Sequence, residues 1–226
     1  MRPISAVINA RLESSRMKQK MIRPFAGTTL LDIALRKLNE LDFFEHRFLA
    51  VAEDELKNRA KQYPNVEILE RKPESVAPGP HEPTVTFEHY ARVPTQYVFV
   101  INACAAFLSE QTIRTAYDIF QQTSYRSYAA VVPTRNWIFT QDGVALTHKD
   151  PDALQNTSHG EIFYKATHSF YIIDRDYFIS SNGRLWTLTP DDPHLIEMPL
   201  DESFDVDTER EFEFSAYMYK KLHKRK

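Results

Sequence analysis

Residues 4–41 read ISAVINARLESSRMKQKMIRPFAGTTLLDIALRKLNEL, and three textures follow one another within them. Residues 4–9 are a short apolar run of the kind that forms a buried strand. Residues 10–20 concentrate four cations, Arg11, Arg16, Lys18 and Lys20, around two hydroxyls, Ser14 and Ser15, and a single acid, Glu13. Residues 28–41 then place Leu30, Leu31, Ala34, Leu35, Leu38 and Leu41 at helical spacing, with Thr28 or Thr29 as N-cap. A strand that passes through a cationic loop into a helix is the opening of an α/β unit.

The same alternation continues. Apolar runs at 46–52, 66–69, 96–103 and 128–134 read as strands, and residues 53–63, 85–93 and 109–122 as helices, the last capped by Ser109. This predicts an α/β fold in which helices cover both faces of a mainly parallel sheet, a three-layer α/β/α arrangement of Rossmann-like kind. Ligands of such sheets bind beyond the carboxyl ends of the strands, where the loop 10–20 begins. The pattern loosens after residue 134. Residues 136–150 resemble a hairpin turning at Asp142-Gly143, 150–161 are a polar loop, 167–174 a strand and 208–226 a terminal helix ending in cations. The stretch 71–84 holds four prolines and is expected to lack regular structure, as a solvent loop or a wall at the sheet's carboxyl edge.

Composition narrows the function. A chain of 226 residues with 42% hydrophobic content suits one domain with a real core. A net charge of -3 argues against a general nucleic-acid binder, so the cationic loop calls for a local ligand. No run approaches the roughly 18 apolar residues of a membrane span, and no secretory leader is visible. The single cysteine, Cys104, fits a reducing compartment, and a cytoplasmic location is expected. Only five glycines occur, far apart, so neither G-x-G-x-x-G nor the Walker loop is present. The eight histidines form no zinc pattern.

Two constellations carry chemistry. The loop 10–20 is either a solvated basic turn or a phosphate cradle in which Arg, Lys and Ser side chains replace a glycine nest. Near the other end, SFDVD (203–207) sets Asp205 and Asp207 two residues apart, so in an extended segment both carboxylates face one side. Such a pair suits a divalent cation shared with substrate phosphates, although Asp207 could instead cap the following helix. Together the two point to a metal-assisted reaction on a nucleoside triphosphate or a nucleotide-sugar.

The segment 7–35 resembles the opening of the sugar-acid cytidylyltransferases, above all the acylneuraminate cytidylyltransferases, whose R-x-x-S-x-R-x-x-x-K signature is met by Arg11, Ser14, Arg16 and Lys20. DESFDVDTEREFEFSAYM (201–218) resembles their final motif, with Asp205 and Asp207 as metal carboxylates. VEILERKPES (66–75) is similar to the segment that sets an arginine beside the nucleotide, here Arg71. FYKATHSFYIID (163–174) resembles the strand that helps to hold the sugar, through Lys165 and Thr167, and Asn102 falls at a further acceptor contact. The turn 102–108, NACAAFL, departs from the family's Q-P-T-S-P-L-R pattern.

The resemblance implies a nucleotide-diphospho-sugar transferase type of fold and transfer of CMP from CTP to a sugar acid, for surface-glycan biosynthesis. It implies Mg2+ as cofactor, Lys20, Arg11 and Arg16 as catalytic cations, and a homodimer built through an extension at about 135–178. Neither a nucleic-acid nor a membrane partner is expected. Two other readings stay open: a glycosyltransferase whose Asp-x-Asp holds metal, and a degenerate relative that binds nucleotide without turnover.

Overall fold

The computed structural model describes residues 1–13, 16–77, 79, 81–147 and 160–223. Seven strands form one sheet: β1 (Ile4–Asn9), β2 (Arg47–Val51), β3 (Glu67–Glu70), β4 (Tyr97–Ile101), β5 (Tyr128–Thr134), β6 (Phe163–Asp174) and β7 (His194–Glu197). Their order is β3-β2-β1-β4-β6-β5-β7. All run in one direction except β6, which lies antiparallel to both β4 and β5. The helices are α1 (Leu30–Glu40), α2 (Asp54–Ala60), α3 (Pro73–Val76), α4 (Pro83–Thr86), α5 (Glu110–Gln122), α6 (Arg175–Ser180) and α7 (Glu209–His223). The expected alternation and the mainly parallel sheet are therefore present.

Side chains alternate across the sheet and feed two cores. Ile4, Ala6, Ile8, Phe99 and Ile101 join Leu31, Leu35, Ile113, Phe120 and Phe212 on the face covered by α1, α5 and α7. Val7, Val98, Val100 and Ile173 join Tyr90, Val93 and Phe178 on the other face. That second face is roofed by α6 and by the short turns around Tyr90. Thr29 and Ser109 cap α1 and α5 by accepting from Asp32 N and Thr112 N, as the sequence suggested.

Local expectations need correction at several points. Residues 85–93 are not one helix but α4 followed by a 3-10 turn, Glu88–Arg92. The proline-rich 71–84 is not wholly irregular: α3 and α4 each begin on a proline, which fits a first helical turn because its fixed φ suits the helix and no N–H is needed there. Strand β7, of four residues, was not expected, although β3 of the same length was. Residues 203–207 pair with no strand, and Ser203, at φ -87 and ψ 2, still belongs to the end of the preceding 3-10 turn. Of the stretch 135–178, residues 163–174 form β6 inside the sheet and 175–178 begin α6, so the described residues of the expected extension outside both are 135–147 and 160–162. There Phe139 bridges Ala145 around Gly143, matching the expected hairpin, while 148–159 fall outside the described residues. No helix among the described residues is long and apolar enough to cross a membrane.

The last helix is docked by the first loop. Phe25 is fully buried, with its ring 5.3 Å from Phe212 and 5.6 Å from Tyr219. Arg23 grips Glu209 with both terminal nitrogens, at 2.8 and 2.7 Å. Truncating a buried phenylalanine removes its transfer energy and leaves a cavity. Phe25→Ala is expected to lower unfolding free energy by about 3–5 kcal/mol, read from urea denaturation; a loss below about 1 kcal/mol would show that α7 docks without it.

Candidate active site

The loop that leaves β1 is pinned from several sides. Glu53, at the head of α2, accepts from Leu12 N at 2.7 Å and Ala52 N at 3.3 Å. Gln19, held in the left-handed region at φ 52, returns the chain by donating its N–H to Leu12 O at 3.1 Å. Met17 and Met21 point into the core, and Lys20 between them is buried as well. Lys18 is exposed and Arg16 keeps 63% of its side chain in solvent. Ser14 lies outside the described residues.

A buried ammonium needs acceptors. Lys20 finds them at the far end of the chain, donating to Val206 O and to Asp207 Oδ1, the latter at 3.2 Å. Burial works against its charge, but contacts with the Cys104 thiol and Asp207 outweigh it and hold the pKa above the ordinary lysine value. Arg16 reaches the other oxygen of the same carboxylate, Oδ2, at 2.8 Å. Asp207 is free to receive both because it is not the helix cap. Thr208 and Glu211 form a capping box: Thr208 Oγ1 accepts from Glu211 N at 3.3 Å, while Glu211 Oε2 accepts from Thr208 N at 2.7 Å and Asp207 N at 2.9 Å.

Asp205 sits beside this pair. Burial raises its pKa, the nearby Asp207 charge raises it further, and Lys20 with a hydrogen bond from Asn102 opposes both. Its Oδ1 is buried with no hydrogen-bond partner among the described residues. An orphaned carboxylate oxygen next to a second carboxylate fits a divalent cation bound jointly with phosphate oxygens. Two is the limit: no group of three or more His, Cys, Asp or Glu among the described residues could hold a metal unaided.

Asn102, just past β4, is the third element of the cluster. Its backbone N–H donates to Ser169 O at 3.0 Å and its Oδ1 accepts from Cys104 N at 2.9 Å. Burial pushes the Cys104 thiol up, so it stays protonated at neutral pH, in line with a packed thiol rather than a nucleophile. The structure thus brings Lys20, Arg16, Asp205, Asp207 and Asn102 together.

The other predicted residues are placed differently. Arg71 is buried, and its guanidinium donates to Ser75 Oγ (3.3 Å), Ser75 O (2.9 Å), Thr86 O (2.9 Å) and Ala10 O (3.4 Å). It ties the proline-rich segment to the end of β1. Burial lowers its pKa, and Arg11 nearby adds to that effect. Thr167 turns into the sheet, its hydroxyl 3.4 Å from Ala130 O and 3.3 Å from Met198 Sδ. Lys165 is exposed, opposite Val132, on the part of β6 that runs past the carboxyl end of β4.

Sequence reasoning missed a buried network below the site. His89 Nε2 donates to Asn9 Oδ1 at 2.7 Å, and Asn9 Nδ2 donates to Tyr90 OH at 2.8 Å. Burial, with Arg71 close by, drops the His89 pKa to about 3, so the ring is neutral. Asn9 also lines a hollow of about 240 Å³ with Phe87, Val100, Asn102, His168 and Tyr171. An amide as the last residue of a strand at the ligand edge was the available signal. A larger hollow, about 620 Å³, lies between α2 and β3 and contains none of the predicted site residues.

The cytidylyltransferase family model matches residues 5–214. Among solved structures, a CMP:2-keto-3-deoxy-manno-octonic acid synthetase complexed with CTP superposes with a TM-score of 0.70 at 11% identity, covering 97% of this chain and 99% of that one. The 4-diphosphocytidyl-2C-methyl-D-erythritol synthase from Anaerococcus prevotii DSM 20548 superposes with a TM-score of 0.66 at 14% identity, covering 96% of each. No curated protein sequence matches significantly. At such identities the structural likeness speaks to the fold.

The capping box gives a test of how Asp207 is presented. Thr208→Ala is expected to cost about 1 kcal/mol of stability, measured by urea denaturation, while Thr208→Asn stays within a few tenths of wild type. Equal losses in both would mean that the cap does not set the start of α7.

Proposed function

The chain belongs to the cytidylyltransferase family, and from that premise we propose that this nucleotidyltransferase moves the CMP group of CTP onto a sugar acid of the nonulosonic or ulosonic type, with release of pyrophosphate, in surface-glycan biosynthesis. The observation that carries this reading is the meeting of Lys20 with Asp207 at the carboxyl end of β1. A charged, buried lysine stands beside a carboxylate pair at the edge where such sheets bind nucleotides.

In this reading the acceptor hydroxyl attacks the α-phosphorus of CTP, and the bond to the pyrophosphate oxygen breaks. Negative charge grows on the phosphate oxygens. Lys20, preoriented and water-poor, is worth more there than a surface cation would be. Arg16 is exposed enough to leave Asp207 for the triphosphate, and Arg11, Arg71 and Ser14 complete the nucleotide side. Asp205 and Asp207 would hold Mg2+, which supplies charge neutralisation at the phosphates. Asn102 and Lys165 stand on the acceptor side, and Thr167, turned into the sheet, serves it only by bracing the backbone of β6. A single domain spans the chain.

We also propose a cytoplasmic homodimer joined through the hairpin region. Its support is apolar exposure: Phe139, Val144 and Leu146 are each more than half or about half exposed, at 54%, 57% and 50%.

Lys20→Met keeps the length of the side chain but removes its charge. It is expected to lower kcat/KM for pyrophosphate release from CTP by about a hundred- to a thousandfold with an unchanged circular-dichroism spectrum. Near wild-type turnover would sink the phosphate role. Asp207→Asn is expected to abolish turnover and with it the response to added magnesium, whereas an active variant that still needs magnesium would remove Asp207 from the metal assignment.

A further inference from the structure

Lys37 stands in the last turn of α1, where a cation suits the helix dipole. Its ammonium, however, is spent elsewhere. Nζ donates to Leu108 O at 2.8 Å and Ala105 O at 3.0 Å, with Ala106 O at 3.5 Å. An ammonium has three protons, and here three carbonyls of one turn converge on it. That turn, 102–108, has neither proline nor glycine to fix its own backbone. It carries Asn102, which lies beside Asp205, and Cys104, which lies beside Lys20.

The far end of the turn is held too. Ser109 N donates to Glu202 Oε2 at 2.8 Å, and Glu202 closes the 3-10 turn Leu200–Glu202 that runs on to Asp205. One polar knot therefore joins α1, the 102–108 turn and the approach to the carboxylate pair. Glu202 and Glu110 face the ammonium favourably. Arg36, Asp201 and His223 line a hollow of about 470 Å³ together with Lys37 and Glu202.

We infer that Lys37 is a positioning residue: its ammonium sets the shape of the 102–108 turn, and through Asn102 it sets the acceptor side of the site. The acceptor half of this statement rests on the reaction proposed above. Burial brings the Lys37 pKa down to about 8. The ammonium is thus intact below that pH and is lost as pH rises through it, so the turn loosens in alkali.

The test uses wild type, Lys37→Met and Lys37→Arg, with two readouts. One is the rate of Cys104 alkylation by iodoacetamide, which needs no turnover and is specific because the chain has one cysteine. The other is KM for CTP and for an acceptor, with N-acetylneuraminate and 3-deoxy-octulosonate as probes, from pH 6.5 to 9.5. Lys37→Met is expected to speed alkylation at least tenfold and to raise acceptor KM at least tenfold, with CTP KM within twofold. Lys37→Arg should recover much of both. Wild-type acceptor KM should climb above pH 8, and that climb should vanish in Lys37→Met. A folded Lys37→Met with wild-type alkylation and an unchanged ratio of the two KM values overturns the inference. If Lys37→Met does not fold, a flat wild-type acceptor KM between pH 7 and 9 overturns it equally. Should neither sugar acid turn over, the proposed reaction fails, and the alkylation rates still decide the role of Lys37.

Discussion

A lysine ammonium taken out of water must be met by oxygen, and Lys20 is met by oxygen that belongs to a segment 186 residues away. That requirement organises the molecule. Val206 and Asp207 can reach Lys20 only if α7 is seated, and α7 is seated by Phe25 and Arg23 from the very loop that carries Lys20. The loop and the helix therefore hold one another in place, and the candidate site is the seam between them. The cap formed by Thr208 and Glu211 matters for the same reason. It satisfies the helix terminus with other groups, so that both oxygens of Asp207 remain available to cations.

The reversed strand β6 makes the second contribution. By entering antiparallel between β4 and β5, it separates two parallel strands that the sequence lists consecutively. Its first residues then stand beyond the carboxyl end of β4, alongside Asn102, and Ser169 O takes the Asn102 N–H. A parallel strand in that place would bring its carboxyl end there instead. One inversion of direction thus supplies a wall for the site from a part of the chain far from the first loop.

The fold was legible wherever periodicity was long: α1 and α5, with their caps at Thr29 and Ser109, follow directly from the spacing of Leu and Ile. It was less legible in the one-turn helices α3 and α4, because so few residues carry no period, and in β7, although β3 of the same length was read. The candidate site divides the same way. The cations at 11–20 and the acids at 205 and 207 stand out because charge is unusual next to buried runs. The roles of Glu53 and Lys37 do not, because each is an ordinary helix-end charge until the fold brings a loop against it. Arg71 shows the converse. The sequence places it at the ligand edge, and the structure finds its guanidinium occupied by carbonyls of its own loop and of Ala10.

The pairing of Lys20 with residues 206 and 207 also has a temporal side. On a ribosome the cation is made first and its counter-charge last, with roughly 10–40 s between them at 5–20 residues per second. For that interval the first loop exists without the oxygens that its buried lysine requires. Until residues 206 and 207 follow, burying Lys20 would leave its ammonium without acceptors, so closure of the first loop and seating of α7 come together.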